Sequence, residues 1–282
     1  MFRQDLLKGK KALITGGGTG LGKSIGRRYL ELGAELVICG RREEVLKATA
    51  EEFRQATGGK VSTFGCDVRD PQAIDAMMDA IWADGPLDIL LNNAAGNFIA
   101  RTDSLSPRAV DAVLGIVLHG SLYCTMAAGK RWIAQGRKGS VLSIVSTPAL
   151  TGAAFTVPSA VAKAGVVAMT RSLAVEWGPK GIRLVAVAPG FFPTPGAWEQ
   201  LYPAGSQLQD QRREVPLRRY GEHIELANLC AYLVSQEAEY ITGDAVVIDG
   251  GRWMQGVGGP SVAAMQDWTD AQWDAMRAKG RG

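Results

Sequence analysis

The chain reads as an α/β protein, a doubly wound parallel sheet of seven strands with helices on both faces, and three observations predict it. The first is a glycine-rich loop, Thr15-Gly16-Gly17-Gly18-Thr19-Gly20-Leu21-Gly22. It lies between the apolar run Ala12-Leu13-Ile14 and apolar residues at helical spacing, Leu21, Ile25, Tyr29 and Leu32. The second is a succession of short, continuously apolar runs separated by segments of helical periodicity, the pattern of strands covered on both faces. The third is the lack of any dividing linker in 282 residues that are 46% hydrophobic, which predicts one large domain over residues 1–282 with an ample core.

The elements follow in order. The first strand turns into the first helix at the glycine loop, where residues tolerant of positive φ leave room for an anion facing free N–H groups and the helix dipole. That strand, turn and helix form the Rossmann-type phosphate cradle. Its spacing, Gly16-x3-Gly20-x-Gly22, has one residue more between the first two glycines than the simplest dinucleotide fingerprint, and a glycine turn without a ligand is the alternative. A second strand spans residues 35–39, a helix residues 43–56 up to Gly58-Gly59, and a third strand residues 61–65. Asp70-Pro71 caps the next helix, residues 87–91 form the fourth strand, and Ser106-Pro107 caps a helix that runs to about residue 134. Residues 141–145, 182–188 and 245–248 supply the remaining strands, with a long helix over residues 159–177. Five prolines between Pro189 and Pro216 mark a long irregular segment, expected to be a substrate lid at about residues 190–216. A tail over residues 252–282 holds a flexible stretch at residues 256–260. It also holds a capping box, Thr269-x-x-Gln272, opening a helix that bears Trp273 and Met276.

The net charge is +3, with lysines and arginines dispersed, so no basic stripe recommends nucleic acid or anionic lipid. Cys39, Cys66, Cys124 and Cys230 lie far apart in apolar runs, which favours buried reduced thiols over disulfides or a metal site. No stretch is expected to reach the length of a membrane span, and a cytoplasmic protein is expected.

Ligands of such sheets bind at the carboxyl ends of the strands. Arg41 and Arg42 follow the second strand, where a cofactor lacking a 2′-phosphate would meet Asp or Glu, so the pair favours NADP(H) over NAD. Asp67 and Val68 follow the third strand and can face an adenine, although Asp67 can equally cap a turn. Asn92-Asn93-Ala94-Ala95-Gly96 follows the fourth, where small residues admit a cofactor, and Ser146 follows the fifth. Ser159 and Lys163, four apart on a predicted helix, share one face.

Together with Pro189-Gly190 after the sixth strand, this set resembles the short-chain dehydrogenase/reductase family over nearly the whole chain. In that family the helix carries Tyr-x-x-x-Lys, the tyrosine acting as acid or base; here Ser159 stands in its place, a far weaker acid than a phenol. The segments Asn93-Ala94-Ala95-Gly96-Asn97-Phe98, Val157-Pro158-Ser159-Ala160-Val161-Ala162-Lys163-Ala164-Gly165 and Ala174-Val175-Glu176-Trp177-Gly178, with the tryptophan-bearing tail, are similar to 2,4-dienoyl-CoA reductases. That resemblance implies hydride transfer from NADPH to the far end of a conjugated thioester, with charge gathering on the thioester oxygen. It implies polar contacts from Asn97 and Ser159, and Lys163 on the nicotinamide ribose. It implies cofactor contacts at Gly16, Gly17, Gly18, Thr19, Gly20, Leu21, Arg41, Asp67, Asn93, Pro189, Gly190, Phe192 and Thr194. Substrate contacts fall at Phe98 and Ser106, with Arg69 meeting the CoA moiety, and a homotetramer paired through the two long helices is implied.

Two departures stand out. The subfamily's acid, a tyrosine fifteen residues before the lysine, is Pro148 here, and a CoA-contacting arginine of the lid is Gln200. The wider family's helical asparagine is matched to His119, which can supply a proton directly or through water, or be purely structural. Ser146, His119, Ser159 and Lys163 could then form a hybrid site. The expected function is NADPH-dependent reduction of an unsaturated acyl thioester. The alternatives are carbonyl or alcohol chemistry on a 3-oxoacyl-CoA or cyclic ketone with His119 as acid, and a cofactor-binding pseudoenzyme. A serine hydrolase is disfavoured because Ser159 lies within a helix rather than on a nucleophile elbow.

Overall fold

Seven strands frame the molecule: β1 (Lys11–Thr15), β2 (Glu35–Gly40), β3 (Val61–Gly65), β4 (Ile89–Asn92), β5 (Gly139–Ile144), β6 (Ile182–Pro189) and β7 (Ala245–Ile248). The computed structural model describes residues 3–194, 211–257 and 265–279. All six strand pairings are parallel, in the order β3-β2-β1-β4-β5-β6-β7. The order reverses between β1 and β4, and a crevice opens beyond their carboxyl ends. The helices are α1 (Gly20–Glu31), α2 (Glu43–Thr57), α3 (Pro71–Ala83), α4 (Pro107–Ala134), α5 (Pro148–Thr151), α6 (Val157–Trp177), α7 (His223–Val234), α8 (Arg252–Val257) and α9 (Asp270–Lys279).

Because side chains alternate across a strand, neighbouring residues of β1 enter opposite layers. Ile14 joins Ile25, Tyr29, Phe53 and Leu226 under α1, α2 and α7, whereas Leu13 joins Met78, Cys124, Trp132 and Trp177 under α3, α4 and α6. The indole of Trp132 also donates to the Leu87 carbonyl at 2.6 Å. The predicted caps form: Asp70 Oδ1 accepts from Gln72 N at 2.9 Å and Ala73 N at 3.3 Å, and Ser106 Oγ accepts from Ala109 N at 3.2 Å. In the tail, Thr269 N donates to Gln272 Oε1 at 2.8 Å, and Trp273 and Met276 are exposed on α9.

Several expectations change. Helix α4 contains a π turn at Gly115–His119, and neither α5 nor α7 is anticipated. The α7 segment hides because Leu226, Ala227, Cys230, Ala231, Leu233 and Val234 are nearly continuous in sequence and its cap is Glu222 rather than Ser, Thr, Asn or Asp. Gly256 and Val257 close a helix; the rest of the stretch expected to be flexible, and residues 195–210 of the expected lid with Gln200, lie outside the described residues. Among the described residues, one helix, Pro107–Ala134, is long and apolar enough to cross a membrane, contrary to expectation. Half of its apolar window is buried within the fold, as in a core helix. All four cysteines are buried free thiols, and burial pushes Cys124 up to about 12.

Gly129 of α4 lies where a Cβ would stand 2.4 Å from the Trp177 ring. Gly129→Ala is expected to lower stability by about 1–3 kcal/mol through overpacking, measured as a fall in the urea midpoint without a change in slope.

Candidate active site

The carboxyl ends of the strands surround a cavity of about 540 Å³. Gly16, Gly18, Thr19, Gly20 and Leu21 line it from the first turn, Arg41 and Arg42 from the second, and Asp67 and Val68 from the third. Asn93 contributes just after β4, Ser146 after β5, Lys163 from α6, Pro189 from the end of β6, and Gly190, Phe192 and Thr194 from the segment that follows. A second cavity of about 560 Å³ opens at the amino ends of β4, β5 and β6 and holds none of the expected site residues; its Arg137 and Lys10 both face Asp88.

The cradle follows from local sequence. Gly16 and Gly20 have φ of +66° and +55°, the left-handed region that favours glycine. The first turn of α1 then leaves N–H groups without helical acceptors beside the cavity. Asn93 holds this turn from the neighbouring strand end: its Nδ2 donates to the Thr15 carbonyl at 3.0 Å and the Gly16 carbonyl at 3.2 Å. A Cβ on Gly22 would meet that nitrogen at 2.4 Å, so the third glycine provides close packing. Thr15, which the sequence reading passes over, accepts at Oγ1 from Asn93 N and Ala94 N, each at 3.0 Å. Its signal is a buried hydroxyl immediately before a glycine turn. Gly17 does not line this cavity; a Cβ there would stand 2.5 Å from Ile38 Cγ2.

At the second-strand end, Arg41 and Arg42 are exposed beside the cavity, with no ion pair among the described residues. Arg69, expected to meet a CoA group, instead places its guanidinium on Asp67, with Nε at 3.0 Å from both carboxylate oxygens and Nη2 at 2.5 Å from Oδ2. That hydrogen bonding holds the Asp67 carboxyl below its usual range, assisted by the Arg69 backbone N–H and the charges of Arg69 and Arg41. Asp67 therefore both caps a turn and faces the cavity.

At the far end Lys163 is 7% exposed, and its Nζ donates to the Ile144 carbonyl at the end of β5. Burial pushes its ammonium down to about 8. Ser146 lines the cavity; Ser159 is half-buried one turn before Lys163 and outside the lining. Asn97 is exposed on the loop after β4, its Oδ1 accepting from Phe98 N at 2.9 Å, which leaves the amide nitrogen free to donate elsewhere. Phe98 packs against Val113, Val117 and Ala162. Ser106 is exposed, its hydroxyl occupied with the α4 cap.

His119 does not join the group. It is exposed and stacks on Tyr123 with ring centroids 5.8 Å apart, while Ile116 of the same π turn lines the cavity and Val117 is buried toward α6. The hybrid site therefore reduces to Ser146 and Lys163 at the cavity wall with Ser159 alongside. Pro148 begins α5, so no donor replaces the missing tyrosine there.

A family model described as enoyl-(acyl carrier protein) reductase matches residues 16–252. A probable 2,4-dienoyl-CoA reductase of Bacillus subtilis (strain 168), named for a (2E)-enoyl-CoA product, is 44% identical, over 87% of this chain and 97% of its own. The probable 2,4-dienoyl-CoA reductase 3 of Caenorhabditis elegans, named for a (3E)-enoyl-CoA product, is 41% identical, over 100% of this chain and 93% of its own. A crystal structure of a short chain dehydrogenase from Bacillus anthracis superposes with a TM-score of 0.80 at 42% identity, over 87% of this chain and 97% of that one.

The Lys163 geometry sets a pH signature. An unfolded lysine keeps its proton to about pH 10.4, whereas the folded one releases it near 8, so between these values the unfolded chain binds more protons and stability rises with pH. Against Lys163→Met, which lacks this linkage, the wild-type chain is expected to gain about 2 kcal/mol between pH 7 and 9.5. Urea unfolding at a series of pH values measures the difference, which a lysine protonated throughout would hold flat.

Proposed function

The chain belongs to the short-chain dehydrogenase/reductase family, and from that membership we propose that it is an NADPH-dependent reductase of unsaturated acyl thioesters, with a 2,4-dienoyl-CoA as substrate. That it is an oxidoreductase follows from the family, as does a nicotinamide cofactor. The observation that carries the finer reading is a buried lysine at the end of the cavity with two serines nearby and no tyrosine among the described lining residues. A site without a phenol is poorly suited to protonating an alkoxide and better suited to steadying an enolate, whose proton goes to carbon.

The residues present fit a dinucleotide. Gly16, Gly18 and Gly20 line a cradle at the opening of α1, Arg41 and Arg42 supply cations for a 2′-phosphate, and Asp67 and Val68 flank the adenine side. When bound, the nicotinamide supplies a hydride to the substrate's C5. Asn97 Nδ2 and the Ser159 hydroxyl donate to the thioester oxygen as it gains charge, and the Lys163 ammonium favours negative charge in this low-dielectric corner. A proton then adds at C2, leaving a 3-enoyl thioester, or at C4, leaving a 2-enoyl thioester. The two relatives' names divide along this choice. Ser146 and Lys163 stand at the cavity wall to pass the proton, whereas His119 faces away, which weighs against carbonyl reduction with His119 as acid. Homotetramer formation belongs to the same reading, supported by exposed Met126, Val161 and Val175 on α4 and α6.

Incubation with NADPH and 2,4-dienoyl-CoA is expected to give NADPH oxidation and one enoyl-CoA isomer. No oxidation with any unsaturated thioester, despite tight NADPH binding, would establish a pseudoenzyme. Asn97→Ala is expected to lower kcat by about 10²- to 10³-fold, the usual loss for one preorganised donor. Replacing Arg41 and Arg42 together by alanine is expected to raise the KM for NADPH at least tenfold and leave that for NADH within about threefold, since a desolvated phosphate contact accounts for one to two decades. Equal effects on both cofactors would remove the NADP assignment.

A further inference from the structure

Beyond Pro189 the chain enters a stem, residues 190–194, that walls the cavity through Gly190, Phe192 and Thr194. Its backbone is tied twice: Gly190 N donates to the Ile248 carbonyl at 2.9 Å, and Gly221 N donates to the Phe191 carbonyl at 3.0 Å. A third tie comes from a side chain on another element. His223, the first residue of α7, has Nε2 at 2.8 Å from the Pro193 carbonyl and Nδ1 at 2.7 Å from Ser24 Oγ, one turn into α1. A carbonyl only accepts, so Nε2 carries a proton and donates to Pro193, while Nδ1 pairs with the Ser24 hydroxyl, which also lies 3.3 Å from the Gly20 carbonyl. One imidazole thus joins the stem to the helix that opens the glycine cradle. Next to it, Thr194 Cγ2 lies 3.6 Å from where a Cβ of Gly20 would be.

We propose that His223 is a positioning residue for dinucleotide binding, clamping the stem after β6 onto α1 so that Thr194 closes the cradle end of the cavity. This rests on the reading of that cavity as a nicotinamide dinucleotide site. Packing of α7 on α1 does not depend on the imidazole, because Arg28 Nε donates to Asn228 Oδ1 at 2.8 Å and the Tyr29 hydroxyl donates to the Cys230 carbonyl at 3.3 Å. What His223 adds is the bond to Pro193. Without it the closed stem is populated for only part of the time, and apparent affinity falls by that fraction.

The test compares wild type, His223→Ala and His223→Gln, the last able to donate to the Pro193 carbonyl. NADPH is titrated by fluorescence, and amide hydrogen exchange over residues 189–194 is followed without cofactor. His223→Ala is expected to raise the Kd by about three- to tenfold, the scale of one or two net hydrogen bonds, and to speed exchange in the stem. In steady state it raises the KM for NADPH more than it lowers kcat. His223→Gln is expected to return Kd and exchange to within about twofold of wild type. A folded His223→Ala with unchanged Kd and exchange, or a glutamine variant no better than alanine, overturns the clamp while the cavity assignment stands. A wild-type chain that binds no dinucleotide removes both. Should His223→Ala not fold, His223→Leu, which keeps the bulk but cannot donate to the Pro193 carbonyl, replaces it under the same criteria.

Discussion

The rest of the structure depends on the knot between the ends of β1 and β4. Thr15 Oγ1 accepts two successive backbone N–H groups, from Asn93 and Ala94, while the Asn93 amide donates back to the carbonyls of Thr15 and Gly16. These four bonds join the two strands where the sheet order reverses, in a place where any unpaired backbone group would be costly. They also fix the direction in which the glycine turn leaves β1. The bare Cα of Gly22 lets the amide in, so the strand end, the turn and the first helix form one unit.

A second constraint operates at the other end of the cavity. Lys163 is enclosed by the fold and holds the carbonyl that ends β5, so its ammonium is fixed where water is scarce. In such a place a charge acts strongly on whatever lies beside it. A phenol next to this lysine would make an acid; the hydroxyls of serine are far weaker ones, and the function proposed above rests on that difference.

Much of this was legible in the sequence because it rests on local rules. Continuous apolar runs give strands buried on both faces, Asp70-Pro71 and Ser106-Pro107 open helices, and the glycine turn announces the crevice. Seven strands and their parallel pairing followed from these signals. Other features depend on partners distant in the chain and leave no local trace. The bonds by which the Asn93 amide holds the glycine turn cross 78 and 77 positions, and the bonds of His223 reach residues 30 and 199 positions away. The helix α7 was missed for a different reason: it is buried on most sides, so its apolar residues lose the periodic gaps by which an amphipathic helix is recognised.

The π turn at Gly115–His119 has a wider consequence. One helix there carries two angular phases along a single axis, because the wide turn resets which direction each later side chain faces. Within this turn Ile116 reaches the cavity and Val117 is buried toward α6, while the imidazole of His119 stands at the surface. A single helix can therefore wall a ligand cavity through one turn and present the next turn's side chains to solvent, because the stripe of its first half does not continue straight into its second.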